Sequence, residues 1–169
     1  MGDRKIIARL FISLFGIVHL CNFYSLNIQL ERIFLSDGLI PIKEFIEKLL
    51  IQDTISSFEK LVSCTSIFLL FNNDVFISLC AFTGILLSFM IIAGFYSRWC
   101  LLLIFPLYMS FVSVGQELYS FQWDALILES TFLAILLPCS GYFYKRYERG
   151  PDWLVNGLFL WLLFRLYIE

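Results

Sequence analysis

Asp124 and Glu129 stand inside an apolar run, residues 121–138, that is long enough to span a bilayer. A carboxylate in hydrocarbon costs about 2–3 kcal/mol or more, so it is rarely there by accident. Two kinds of chemistry suit such residues. They can line a substrate or ion pathway, or a proton relay. They can also make polar contacts between helices that fix a bundle. At about 100° per residue, Asp124 and Thr131 share one helix face, and Gln122 and Glu129 share another about 140° away. A helix with polar groups on two faces is expected to be central, with neighbours on both sides.

An intramembrane charge needs a partner, and depth along each span suggests which. Glu129 lies about 12 Å into its span, which leaves about 18 Å of a core about 30 Å thick. Arg165 lies about 18 Å beyond Trp153 on a final apolar run that crosses the opposite way. His19, the only histidine, lies about 15–20 Å along the first run. Glu129 and Arg165 are therefore the expected pair, with His19 as a candidate third member. His19 alone can equally be a core histidine bonded to a backbone carbonyl. Asp124 lies only about 5 Å below the surface and is expected to stay partly hydrated. Gln116, Gln122 and Trp123 join it at the mouth of the bundle, a level that indole rings favour.

No catalytic signature accompanies these residues. The chain has no GxSxG, HExxH or phosphate-loop motif, so no catalytic residue is assigned. With one His and five Cys lacking any CxxC pair, no metal or cofactor is expected, and the cysteines read as small buried hydrophobes.

The elements that must hold the constellation are helices in a membrane. Of 169 residues, 60% are hydrophobic and 15% charged, against about 45–50% and about 25% in a soluble domain. So short a chain cannot hide that much apolar surface in water. A net charge of −2 argues against nucleic acid as a partner. Five spans are predicted, at about 6–30, 74–96, 99–114, 121–138 and 153–169, in an all-α polytopic bundle forming one domain over 1–169. Arg4, Lys5 and Arg9 precede the first run as in a signal peptide, but no small-residue cleavage site follows, so a retained span is expected.

The link at 31–73 contains more than loop. Ser36-Asp37-Gly38 is a turn, and Pro41 can open a helix. Ile42, Phe45, Ile46, Leu49 and Leu50 then line one face, with Lys43, Glu44, Glu47 and Lys48 on the other. Such a helix can lie on the membrane surface or pack on the bundle as a lid. Residues 61–71 are apolar but too short to span, so they are re-entrant or cap the bundle. Basic residues orient the whole. Arg4, Lys5 and Arg9, then Arg98, then Lys145, Arg146 and Arg149 all fall on one side of a five-span chain, and that side is expected to be cytoplasmic.

Three stretches resemble the lipase maturation factor family. Val114 to Glu129, with Val114-Gly115-Gln116, Ser120-Phe121-Gln122-Trp123-Asp124 and the run ending in Glu129, looks like that family's signature turn and span. Gly38-Leu39-Ile40-Pro41 resembles its turn after the first span. Trp161-Leu162-Leu163-Phe164-Arg165-Leu166 resembles a third stretch. The first is specific, and the others add their order. The resemblance implies a polytopic endoplasmic reticulum protein, or an inner-membrane protein in bacteria, that helps secreted lipases such as lipoprotein lipase fold into active homodimers. It also implies a cytosolic N-terminus. Family members continue past the third stretch into a large lumenal region, so this chain is expected to be a fragment, a truncated gene model or a degenerate copy. Two other functions remain open beside it. One is a membrane enzyme of the carboxylase-like transmembrane type, by analogy of helical pattern. The other is a proton-coupled transporter using Asp124, Glu129 and Arg165.

Overall fold

The computed structural model describes residues 2–51, 66–115, 119, 121–136 and 153–168. Among them every regular element is helical. In chain order these are α1 (Gly2–Ile33), α2 (Ile42–Ile51), a 3-10 turn (Ile67–Leu69), α3 (Asp74–Ala93), α4 (Ser97–Val114), α5 (Gln122–Leu136) and α6 (Trp153–Ile168). Residues 9–33 of α1, all of α3 and all of α4 are long and apolar enough to cross a membrane. Helices α5 and α6 are described over 15 and 16 residues. Gln116, the basic cluster Lys145, Arg146 and Arg149, and residues 61–65 lie outside the described residues.

Register follows from which residues meet. Gly16 of α1 faces Ile91 and Ile92 of α3, while Phe23 faces Gly84. One number rises as the other falls, so α1 and α3 are antiparallel. Phe23 also meets both Tyr108 and Phe111 of α4, at 5.8 and 6.5 Å between ring centroids, and His19 meets Tyr108, so α4 runs with α1. Phe105 against Phe132 and Tyr108 against Asp124 set α5 antiparallel to α4. Phe159 of α6 packs on Phe11, and Arg165 reaches Glu129, so α6 runs with α1. The five long helices alternate in direction. The start of α1, Arg98 and the start of α6 share one end of the bundle.

At the other end the links fold onto the core. The backbone after α1 turns back over its last carbonyls, with Leu39 N–H donating to Arg32 O at 3.0 Å and Ile40 N–H to Ile33 O at 2.7 Å. Those bonds satisfy carbonyls that a helix end otherwise leaves open. Helix α2 then lies on the bundle, not apart from it. Ile42 and Ile46 are fully buried and Phe45 packs beside them, whereas Lys43, Glu44, Glu47 and Lys48 are exposed. The 3-10 turn caps α4. Ile67 N–H donates to Ser110 Oγ at 2.9 Å, and Phe68 is buried against Phe111 at 4.9 Å. Ser110 Oγ accepts that bond while donating its own proton to the Pro106 carbonyl at 2.7 Å.

The short link expected at Ser97-Arg98 falls earlier. Gly94 adopts φ 79° and closes α3 with its N–H on Ile91 O, so Ser97 already opens α4. The large side chains left outside, such as Leu14, Phe82, Phe89, Leu103 and Phe164, ring the bundle on every side. A helix bundle apolar on its outer faces is built for hydrocarbon.

Candidate functional site

The polar residues of α5 each reach a different neighbouring helix. On one face Asp124 is 6% exposed and Thr131 is fully buried. Tyr108 of α4 donates its hydroxyl to Asp124 Oδ1 at 2.6 Å. Thr131 Oγ1 lies 3.0 Å from His19 Nε2 of α1. On the other face Glu129 Oε1 accepts a bond from Arg165 Nη1 of α6. Helix α5 is thus tied by side-chain hydrogen bonds to α1, α4 and α6.

The chain before α5 makes the Asp124 site possible. Gly115 ends α4, and a Cβ there would sit 2.3 Å from the Tyr119 ring. Only glycine lets Tyr119 lie across the helix end. Tyr119 then packs between Phe34 at 6.1 Å and Tyr108 at 6.4 Å. Burial, with the nearby Asp124 charge, pushes the Tyr119 hydroxyl up to about 12, so it stays protonated at neutral pH. Asp124 stands in the first turn of α5, where the helix dipole favours a carboxylate.

Several sequence expectations change here. Asp124 is expected from the sequence to stay partly hydrated at the mouth, but in the structure it is buried and takes its bond from the Tyr108 hydroxyl. His19 does not join Glu129 and Arg165, because it points to Thr131. Gln122 and Trp123 do lie outside, with Trp123 stacked on Phe121 at 5.0 Å. Tyr108 was missed altogether. Its signal was weak: a lone tyrosine among apolar residues, whose hydroxyl needs a partner when buried.

Among the described residues no cluster of His, Cys, Asp and Glu has metal-binding spacing. Asp124 and Glu129 are each engaged by a donor from a neighbouring helix, Tyr108 of α4 and Arg165 of α6. Tyr108→Phe tests the upper tie. A hydrogen bond to a charged group contributes about 1.5–3 kcal/mol in water-soluble folds, and about 0.6 kcal/mol on average between membrane helices. The expected loss is about 1–2 kcal/mol in detergent unfolding. A cycle with Asp124→Ala, which removes the acceptor, should show coupling above about 0.5 kcal/mol; strict additivity would mean the two groups are not bonded.

These features define a polytopic membrane helix bundle in which polar side chains tie α5 to α1, α4 and α6. Residues 6–169 match the lipase maturation factor transmembrane domain. The chain belongs to the lipase maturation factor family. It is similar to lipase maturation factor 2 of Xenopus laevis, 27% identical over 176 residues that cover 98% of this chain and 24% of the relative. It is 38% identical to lipase maturation factor 1 of Bos taurus over 81 residues, 47% of this chain and 14% of the relative. It is 42% identical to lipase maturation factor 2 of Mus musculus over 77 residues, 38% of this chain and 10% of that relative. The chain therefore spans a quarter or less of the length of these relatives. No solved structure matches it.

Proposed function

We propose that this chain is the membrane-embedded part of a folding factor for secreted lipases in the endoplasmic reticulum. The supporting observation is the family match across residues 6–169, joined to relatives that are named as maturation factors rather than as enzymes or carriers. In this reading all five long helices cross the bilayer as one domain. The start of α1 and Arg98 face the cytosol, in keeping with the positive-inside rule. The end that holds α2, Phe34, Tyr119 and Asp124 faces the lumen, where a lipase client is met. The bundle works as a rigid platform, and its interhelical ties hold the lumenal end in one shape.

The orientation has a direct test. The chain lacks an N-x-S/T acceptor, so sites are engineered. An acceptor placed near Gln52 is expected to be glycosylated in microsomes, and one near Lys145 to remain unmodified. The reverse pattern would invert the topology. The function is tested by replacing the transmembrane domain of a relative with residues 6–169, in cells that lack the relative. Restored secretion of active lipase is expected, and Asp124→Ala should weaken it while membrane insertion persists. A chimera that inserts correctly but secretes no active lipase would overturn the proposed platform role.

A further inference from the structure

Helix α1 turns two polar side chains, His19 and Asn22, into the bundle one turn apart. Residues three apart lie on the same helix face, with Cβ atoms about 5–6 Å from each other. His19 is fully buried. The protonation of its ring can be read from its partner. Thr131 has one hydroxyl proton, and its oxygen lies 2.5 Å from the Ile127 carbonyl, to which it donates. The same oxygen lies 3.0 Å from His19 Nε2. With its proton committed, Thr131 can only accept, so Nε2 carries the hydrogen.

The rest of the ring's surroundings keep it neutral. Phe15 at 4.8 Å, Tyr108 at 6.1 Å and Phe23 at 6.5 Å face it from α1 and α4. No carboxylate bonds it among the described residues. A neutral imidazole protonated at Nε2 presents Nδ1 as an acceptor. That Nδ1 is buried and has no hydrogen-bond partner among the described residues, and the same holds for Asn22 Nδ2, a donor. A buried polar atom left unmet is costly and calls for a partner.

An unmet acceptor and an unmet donor one helical turn apart on the same face suit a group that can do both, such as a hydroxyl. A hydroxyl can take the Asn22 N–H on its oxygen and give its own proton to His19 Nδ1. A cation is repelled by the amide N–H, and an anion by the imidazole lone pair. We propose that His19 and Asn22 form a buried site within the bundle for a small neutral hydroxylic ligand. Its source is either a water molecule or the hydroxyl of an organic molecule such as a lipid. The site does not depend on which client the protein serves.

The single histidine makes the test direct. The full chain, labelled with 15N-histidine and held in nanodiscs, gives two ring-nitrogen resonances. The expected result is an Nε2-protonated tautomer whose Nδ1 resonance is displaced to a hydrogen-bonded value. A correlation from Nδ1 to water protons, lost in heavy water, identifies water as the ligand. With the protein's own carbon positions deuterated, a correlation to carbon-bound protons that persists in heavy water identifies an organic hydroxyl. Asn22→Leu should return Nδ1 toward its unbonded value and leave the tautomer unchanged. Protonated Nδ1 in the unaltered chain, an unbonded Nδ1 resonance there, or no response to Asn22→Leu would each overturn the site. The first two readings use the unaltered chain, so they stand even where the variant fails to fold.

Discussion

Gly84→Ala is expected to be strongly destabilising, although it adds a single methyl group. A Cβ at that position would lie 2.3, 2.4 and 2.6 Å from three ring atoms of Phe23. Flexible side chains can move aside from such a contact, but Phe23 cannot. It is fully buried, and its ring is held edge-on between Tyr108 at 5.8 Å and Phe111 at 6.5 Å. The strain must then separate α1 from α3. Lipid tails are as apolar as the interface, so close packing is much of what joins two membrane helices, and small residues make it possible. Overpacking a core typically costs about 1–3 kcal/mol, and Gly84→Ala should fall at the upper end. Gly16→Ala is a matched control in the same interface. Its Cβ would meet Ile91 Cγ2 at 2.9 Å, Ile92 Cγ1 at 3.0 Å and the Ile92 backbone nitrogen at 3.2 Å, each a looser contact than the Phe23 ring makes at Gly84. Thermal unfolding in detergent should rank the unaltered chain above Gly16→Ala, and Gly16→Ala above Gly84→Ala. Phe23→Leu should partly rescue Gly84→Ala. Equal stability of all three proteins would show that α1 and α3 do not meet at this register.

That contact also marks the boundary of what the sequence reveals. Long apolar runs foretell helices because each backbone group must be satisfied within its own segment in lipid. The fixed angle per residue separates Asp124 and Thr131 from Gln122 and Glu129, and the structure buries the first two while Gln122 stays exposed. The alternation of Ile42, Phe45 and Ile46 with charged residues foretells α2, though not whether it lies on lipid or on protein. The fixed rise per residue puts Glu129, Arg165 and His19 at one depth. Depth says nothing of azimuth, and azimuth decides that Arg165 meets Glu129 while His19 meets Thr131. The pairing of Gly84 with Phe23, the tie from Tyr108 and the unmet atoms of Asn22 all depend on register between helices. No single helix encodes that register. It emerges only when the bulky groups of one helix are fitted to the gaps in another.

The lower tie carries the second large effect. Glu129 and Arg165 bond across α5 and α6, with side chains 36% and 35% exposed. Their partial exposure in a protein of this class means that neither charge is sealed in the core. Removing one partner from a sealed pair costs about 3–5 kcal/mol in soluble proteins. Here the exposed third of each group lowers that figure, while the bilayer raises it. A lone charge at the centre of a membrane helix costs about 2.5–3.5 kcal/mol on insertion scales. Glu129→Gln should therefore destabilise the bundle by about 2–3 kcal/mol, because Arg165 loses the carboxylate that meets its charge across α5 and α6. Arg165→Gln removes the same bond from the other side and should also destabilise the bundle. The double variant, with two neutral amides facing each other, should be more stable than the sum of the single losses. Unfolding in detergent, with all four proteins, reads these expectations together. Additive losses would show that the two side chains do not meet across α5 and α6.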